Sequence, residues 1–178
     1  DGAWQATPLL KRLFDKAWAQ LGTSGTGNHF TEFGEFDGKV ALLSHSGSRG
    51  TGAQVCKYYS RLAKMQVPPE FEELNKLAWL SMDSGDGIEY WNAMNLMARY
   101  SAASHQIIHD KIVKHLASSV VAQYENHHNL AWKEIHNGRE LIVHRKGATP
   151  AAQGVFGVIP GDMANPAFLV RGKGCAAS

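Results

Sequence analysis

The sequence predicts a mixed α+β fold, in which β-hairpins and small sheets pack with helices. Three observations support this prediction. Some segments carry apolar residues at helical spacing, and others read as short strands. An Asp-Gly and an Asn-Gly dipeptide each separate two strand-like segments, as in tight hairpins. The 178 residues contain no internal repeat and are 44% hydrophobic, enough for one core, so we expect a single domain over residues 1–178.

Three segments are predicted to be helices. Thr7 and Pro8 offer a cap and a first-turn proline for the first helix, and Gly22 ends it. The third helix has the longest run of apolar residues at helical spacing. The expected helices cover about residues 8–21, 52–64 and 86–117.

Six short strands are predicted, four of them in two hairpins. Asp37-Gly38 joins the first pair of strands, and Asn137-Gly138 joins the second pair. The expected strands cover residues 28–36 and 40–45, 130–136 and 139–145, and then 155–159 and 167–170.

Composition limits the possible classes of protein. Eighteen Lys and Arg against sixteen Asp and Glu leave a net charge of +2, too small to predict a nucleic-acid surface from charge alone. Cys56 and Cys175 lie far apart and form no disulfide framework, and no run of 18 apolar residues occurs. We therefore expect a soluble cytoplasmic protein. The chain starts at Asp1 without an initiator Met, so we also expect a piece of a longer protein, with apolar surface left bare.

Two glycine clusters, at residues 22–52 and 147–174, flank a scaffold that is poor in glycine. The first cluster leads into Asn28, His29 and Glu32. His29 is a candidate metal ligand, Asn28 a candidate phosphate donor, and Glu32 a candidate acceptor for a base edge or hydroxyl. The alternative is a glycine-rich turn before an ordinary edge strand, with His29 bonded to a backbone carbonyl.

The segment His45-Ser-Gly-Ser-Arg49 lies at the junction of a strand and a helix. Backbone N–H groups at a helix start and the guanidinium of Arg49 suit a phosphate or sulfate. The alternative is a capped helix with an exposed Arg49. His45 could also serve Ser46 or Ser48 as a base, but no Gly-x-Ser-x-Gly pattern is present.

The second predicted hairpin begins after Asn126-His-His-Asn129 and ends in His144-Arg-Lys-Gly147. Neighbouring strand residues point to opposite faces, so His127 and His128 cannot both face one site. Arg145 and Lys146 are either a clamp on an RNA or nucleotide phosphate or a solvated strand end. The segments 158–163 and 170–174 either wrap a phosphate or form plain turns.

His105 and His109 stand four residues apart on the longest predicted helix, a spacing compatible with metal binding. The glutamate of the zinc-protease motif does not follow His105. We therefore predict ordinary hydrogen-bonded histidines on a helix face.

In this order, the motifs Gly-x-Gly-Asn-His-Phe-x-Glu, His-Ser-Gly-Ser-Arg-Gly, Asn-His-His-Asn, His-Arg-Lys-Gly-Ala-Thr, Ile-Pro-Gly-Asp-Met and Val-Arg-Gly-Lys-Gly resemble the RtcB family of RNA-splicing ligases. The resemblance extends from about Leu21 to Gly174. It implies a partial RtcB-like fold and an enzyme that joins an RNA 2′,3′-cyclic phosphate or 3′-phosphate end to a 5′-hydroxyl end. Such an enzyme uses GTP and two Mn²⁺ ions: a histidine is guanylylated, GMP passes to the RNA 3′-phosphate, and the 5′-hydroxyl displaces it.

The resemblance also implies roles for individual residues. His29 matches a ligand of one manganese, and His45 and His128 match ligands of the second. Arg49 and Lys146 match the residues that hold the RNA phosphate. The guanylate pocket is assigned to His29 and His128 with Asn28, Phe30, Thr31, Glu32, Asn129, Pro160, Gly161, Asp162 and Met163. The RNA ends are the expected partner, and no membrane partner is expected.

Several departures from the family pattern stand out. The family's Asp and Cys metal ligands lie upstream of the matching stretch, and its nucleophilic histidine lies in a Ser-His-Gly-Ala-Gly-Arg motif that these 178 residues lack. Ala167 replaces a residue that often bears a hydroxyl, and Ser104-His105 replaces Asn-Arg, which indicates a divergent subgroup. We expect the chain by itself to be inactive as a ligase.

Two other classes of function stay open at this point. One is a non-catalytic module that binds RNA ends or nucleotides, for which we expect binding that depends on the terminal phosphate and weakens with salt. The other is a di-metal phosphohydrolase, which the absence of a carboxylate-rich metal motif disfavours.

Overall fold

A computed structural model describes residues 2–162 and 164–174, except for the side chains of residues 74 and 75. It confirms the mixed α+β class, with helices and small antiparallel sheets. The chain divides into two compact units, Asp1–Ser118 and Ser119–Ser178. Of the described helices, none combines the length and the apolar composition that a membrane span requires.

The first unit has its core among helices. Thr7 caps the first helix by accepting the N–H of Leu10 at 3.2 Å, and Pro8 takes the first position, as predicted. The Tyr100 hydroxyl donates to the Ala17 carbonyl at 2.8 Å and so joins the first helix to the third. The α-helices are α1 (Pro8–Gln20), α2 (Arg49–Gln66) and α3 (Gly85–His115), and 3-10 helices cover Gly2–Gln5 and Pro69–Leu77.

The predicted start of α2 is three residues too late. The helix begins at Arg49 because the Ser48 carbonyl accepts the N–H of Gly52 at 2.9 Å and closes the first turn there. The earlier start puts Arg49 in the first turn of a helix rather than in the preceding loop.

The first hairpin also belongs to this unit. It pairs β1 (Phe30–Phe36) with β2 (Lys39–His45) in antiparallel register. Asp37 and Gly38 both have positive φ, 51° and 69°, as a type I′ turn requires. This turn aligns Phe30 opposite His45 at the far end of the hairpin, where the candidate metal ligands lie.

The described residues of the second unit contain two hairpins. Asn137 and Gly138 form the predicted turn, with φ of 51° and 74°, between β3 (Asn129–His136) and β4 (Arg139–Lys146). The last hairpin pairs β5 (Phe156–Ile159) with β6 (Phe168–Arg171). The Asn126 side chain accepts the N–H of Val158 at 3.0 Å and so joins the segment before β3 to β5.

Candidate functional site

His29 and His45 lie side by side at the open end of the β1–β2 hairpin. Their ring centroids are 5.8 Å apart, with the planes at 72°. His45 is the last residue of β2, and its ring also contacts Phe30 at 5.5 Å between centroids. The hairpin register thus brings together two of the three histidines that the family resemblance assigns to metal.

Arg49 completes this group. Its Nη1 lies 3.0 Å from His29 Nδ1, and its Nε donates to the Thr23 hydroxyl at 3.3 Å. Arg49 has a φ of +58°, a backbone region in which bulky residues are rare. The alternative of a capped helix with an exposed Arg49 does not hold, because the side chain is partly buried and its guanidinium contacts Thr23 and His29.

The glycine-rich loop makes room for this arrangement. Gly25 has a φ of +100°, and a Cβ there would overlap the Arg49 guanidinium. Gly27 also has a positive φ, +80°, but open space surrounds it. Sequence reasoning found the loop but missed Thr23 and Gly25 as residues that position Arg49.

The pKa of the His29 ring is lowered below its ordinary value. Burial is the largest cause, followed by the positive charge of Arg49 and the neighbouring His45, while a hydrogen bond to the Ser24 carbonyl acts in the opposite direction. The ring is therefore neutral near pH 7. A neutral imidazole is the form that binds a metal ion.

The residues of the first strand are divided between its two faces. Phe30 and Glu32 share the face that carries His45, because Phe30 is opposite His45 and strand residues alternate. Thr31 lies on the other face, opposite Ser44. Asn28, Thr31 and Glu32 are exposed, and the Phe30 ring is half-buried and contacts the His45 ring.

Two serines fix the end of β2. The Ser44 hydroxyl lies 2.8 Å from His109 Nε2 on α3, and the buried Ser46 hydroxyl donates to the Ser24 carbonyl at 2.9 Å. The prediction that His109 is an ordinary hydrogen-bonded histidine is confirmed. The link from Ser44 to His109 was missed, because it joins residues 65 positions apart and no local pattern signals it.

The candidates of the second unit lie around the start of β3. Asn129 is directly opposite Lys146, and the His128 carbonyl accepts the N–H of Ala148 at 3.3 Å, which extends the pairing. Asn129 and Lys146 are exposed on one face of this hairpin. This register places a predicted nucleotide contact beside a predicted phosphate contact.

Arg145 is not available for a phosphate. Its Nη2 donates to a Glu134 carboxylate oxygen at 3.0 Å, its Nη1 donates to the other oxygen, and the guanidinium lies 5.1 Å from the Trp132 ring centroid. Hydrogen bonds from Arg145 are the largest cause that lowers the pKa of Glu134 to about 2. A phosphate clamp made of both Arg145 and Lys146, one of the two alternatives, therefore does not form, since Arg145 is in an ion pair on the face opposite to Lys146.

The second glycine cluster forms turns in the part that the structure describes. Asp162 accepts the N–H groups of Ala164 and Asn165 at 2.8 and 2.9 Å, and these bonds lower the pKa of its carboxyl group. The N–H groups of Gly172 and Gly174 donate to backbone carbonyls of Val155 and Ala151. Of the expected pocket residues in this cluster, Pro160, Gly161 and Asp162 are exposed, and Met163 lies outside the described residues.

The residues present fit a metal ion in part. His29 and His45 offer two adjacent imidazoles, and nitrogen donors of this type suit several divalent transition metals. Within residues 2–162 and 164–174, no three His, Cys, Asp or Glu side chains are grouped closely enough to hold an ion. The two imidazoles are thus part of a ligand set rather than a complete one.

Comparison with known proteins identifies the family. Residues 3–178 match the family model described as tRNA-splicing ligase RtcB. The chain is 35% identical to the RNA-splicing ligase RtcB of Escherichia coli over 190 residues, which cover 96% of the chain and 45% of that protein. It is 32% identical to the tRNA-splicing ligase RtcB of Methanocaldococcus jannaschii over 210 residues, 94% of the chain and 22% of that protein.

A third relative, the tRNA-splicing ligase RtcB of Thermococcus kodakarensis, is 31% identical over 199 residues, 86% of the chain and 41% of that protein. The chain thus spans less than half the length of these curated relatives. No solved structure matches it significantly. The match to the family model extends over nearly all of its residues, and the chain belongs to the RtcB family of tRNA-splicing ligases.

Proposed function

We propose that this chain is part of a GTP- and Mn²⁺-dependent RNA ligase that joins 2′,3′-cyclic phosphate or 3′-phosphate ends to 5′-hydroxyl ends. Membership in a family whose curated members are named RNA-splicing ligases supports the reaction class. The observation that carries the proposal is the convergence of His29, His45 and Arg49 at the end of the first hairpin. Two imidazole nitrogen donors beside a fixed cation suit a reaction on phosphate groups.

In this proposal, His29, His45 and His128 bind manganese, which when bound neutralises charge on the phosphate oxygens. Arg49 and Lys146 bind and orient the RNA phosphate. Arg49 suits this task because its guanidinium presents a planar set of N–H donors. It already lies partly buried between Thr23 and His29, so little side-chain entropy remains to be lost when a phosphate binds.

GTP is proposed to bind along Asn28, Phe30 and Glu32, with further contacts from the other pocket residues that the family resemblance assigns. Phe30 offers an apolar ring, and Glu32 is an acceptor on the same strand face. Thr31 lies on the opposite face, so we propose a backbone contact for this residue. We propose that the histidine that becomes guanylylated lies outside these 178 residues, which lack the Ser-His-Gly-Ala-Gly-Arg motif, and that the chain binds GTP without forming a covalent adduct.

We further propose that both compact units belong to one catalytic domain of the RtcB type, and that the protein acts in the cytoplasm. Cys56 is an exposed free cysteine, which suits a reducing compartment. The proposed partner is RNA, either a tRNA being spliced or an RNA under repair.

The test measures binding of a short labelled RNA by fluorescence anisotropy, with a 3′-phosphate or a 3′-hydroxyl end. We expect tighter binding of the phosphate end, with an affinity that falls as salt rises. Arg49→Ala should weaken binding of the 3′-phosphate RNA about tenfold, the value of one charged hydrogen bond. Arg61→Ala on the exposed side of α2 is the matched control and should bind like the wild type. Equal affinity for both RNA ends contradicts the proposal.

A second measurement addresses the nucleotide. Incubation with radiolabelled GTP and Mn²⁺ should give reversible binding that gel filtration removes, and no label should remain after denaturation. A covalent guanylyl adduct on this chain would contradict our assignment of the nucleophile to a residue outside it.

A further inference from the structure

The register of the second hairpin separates three consecutive basic residues of β4. Lys146 lies opposite Asn129, and His144 lies opposite Ala131, so both point to the Asn129 face. Arg145 between them points to the other face, where it binds Glu134. His144 is therefore the nearest neighbour of Lys146 along its own face of the strand.

The two faces differ in their hydrogen bonding. On the Arg145 face, Arg145, Glu134 and His136 bind one another. On the other face, the side chains of Asn129, His144 and Lys146 are exposed and have no partner among the described residues. Ala131, the residue opposite His144, has no side-chain group that could bind the ring. The Asn129 face also carries the ion pair of Lys133 with Glu140, so its unused donors are those of Asn129, His144 and Lys146.

We propose that His144 is a further RNA contact, which donates a ring N–H to a phosphate oxygen of the strand that Lys146 holds. The inference rests on the proposed function, which assigns Lys146 and Asn129 to the RNA phosphate and the nucleotide. It adds a residue that this assignment leaves without a role.

The spacing of the strand supports this contact. Residues two apart on a strand are about 7 Å apart on the same face. Opposite residues in an antiparallel pair have Cβ atoms about 5 Å apart, and diagonal neighbours about 7–8 Å apart. A phosphate held by the long Lys146 side chain is therefore within reach of the His144 ring. An imidazole carries at least one N–H donor in either of its protonation states.

Anisotropy titration of the 3′-phosphate RNA with four variants of the chain tests the proposal. His144→Val removes the donor but favours the strand, and we expect about tenfold weaker binding. His144→Gln keeps an N–H donor and should recover most of the affinity. Lys146→Ala is the positive control. Arg139→Gln removes an exposed charge from the opposite face of the same strand and should bind like the wild type.

The outcomes separate the two proposals. If the wild type prefers the 3′-phosphate and Lys146→Ala weakens binding while His144→Val does not, the His144 contact is wrong and the proposed function stands. Equal loss in His144→Val and His144→Gln, with unchanged thermal unfolding, also overturns the contact because the donor then has no effect. A wild type that binds both RNA ends equally overturns the proposed function and the His144 contact together.

Discussion

Arg49 Nη1 lies 3.0 Å from His29 Nδ1, and this contact determines where the imidazole carries its proton. A guanidinium can only donate hydrogen bonds, so Nδ1 accepts. A neutral ring that accepts at Nδ1 has its proton on Nε2. The lowered pKa of His29 keeps the ring neutral near pH 7. A metal ion that binds through Nδ1 would have to displace Arg49, and the displaced guanidinium would then be available for a phosphate.

This contact predicts the tautomer of His29. In the metal-free chain, long-range ¹H–¹⁵N NMR should show His29 with a protonated Nε2 and an unprotonated Nδ1. Arg49→Ala removes the donor, so we expect a mixture of the two tautomers. Arg61→Ala is the control and should leave the spectrum of His29 unchanged. A wild-type His29 with its proton on Nδ1 would contradict the hydrogen bond to Arg49.

Gly25 and Gly27 of the glycine-rich loop both have positive φ, and we expect their substitution by Ala to have different effects on RNA binding. In Gly27→Ala the new Cβ meets no neighbouring atom, so backbone strain is the only cost. We expect this strain to lower the free energy of unfolding by about 1 kcal/mol. Ala at Gly25 has the same backbone strain and also overlaps the Arg49 guanidinium, which is the end of a flexible side chain and can move aside. We therefore expect a similar loss of stability and, because Arg49 is displaced, weaker binding of the 3′-phosphate RNA. Urea unfolding and RNA anisotropy measure the two effects. Equal RNA affinity of both variants would show that Gly25 does not make room for Arg49.

Local turn chemistry accounts for much of what the sequence could predict. Asp37-Gly38 and Asn137-Gly138 adopt the positive φ values that their turns need, and both hairpins form as expected. Thr7 and Pro8 likewise start α1 as expected. In each case the residues that decide the structure are neighbours in the chain. Such short-range requirements can be recognised from a single sequence.

Contacts between distant residues explain what the sequence could not predict. Arg49 contacts His29, 20 positions away, and has a φ of +58°; no residue pattern indicates either feature. The partner of Arg145 is Glu134, 11 residues away across a hairpin, and the pairing register alone brings them together. Strand alternation did contain one usable signal. Arg145 and Lys146 are neighbours on a strand, so they could not both have faced one phosphate.

The hydrogen bond between Ser44 and His109 predicts an energetic link between β2 and α3. We expect Ser44→Ala, His109→Leu and the double variant to give a coupling energy of about 1 kcal/mol in a double-mutant cycle. The measurement is the free energy of unfolding in urea. His115→Leu, at the exposed end of α3, is the control and should show no coupling with Ser44→Ala. Zero coupling for His109 would contradict a role for this bond in fixing the strand that carries His45.

The pair of Glu134 and Arg145 predicts how the second unit responds to acid. Arg145 holds the pKa of Glu134 at about 2, below the ordinary value of 4.5, so the folded state favours the carboxylate. The unfolded chain takes up the proton first as pH falls, and the stabilisation, complete above about pH 4.5, is lost towards pH 2. We expect this stabilisation to amount to about 1–2 kcal/mol, because water reaches part of the pair.

Urea unfolding midpoints measured between pH 7 and pH 3 should fall for the wild type and change less for Glu134→Gln. Glu140→Gln, at an exposed position of β4, is the control and should follow the wild type, whereas parallel curves for wild type and Glu134→Gln would refute the assignment.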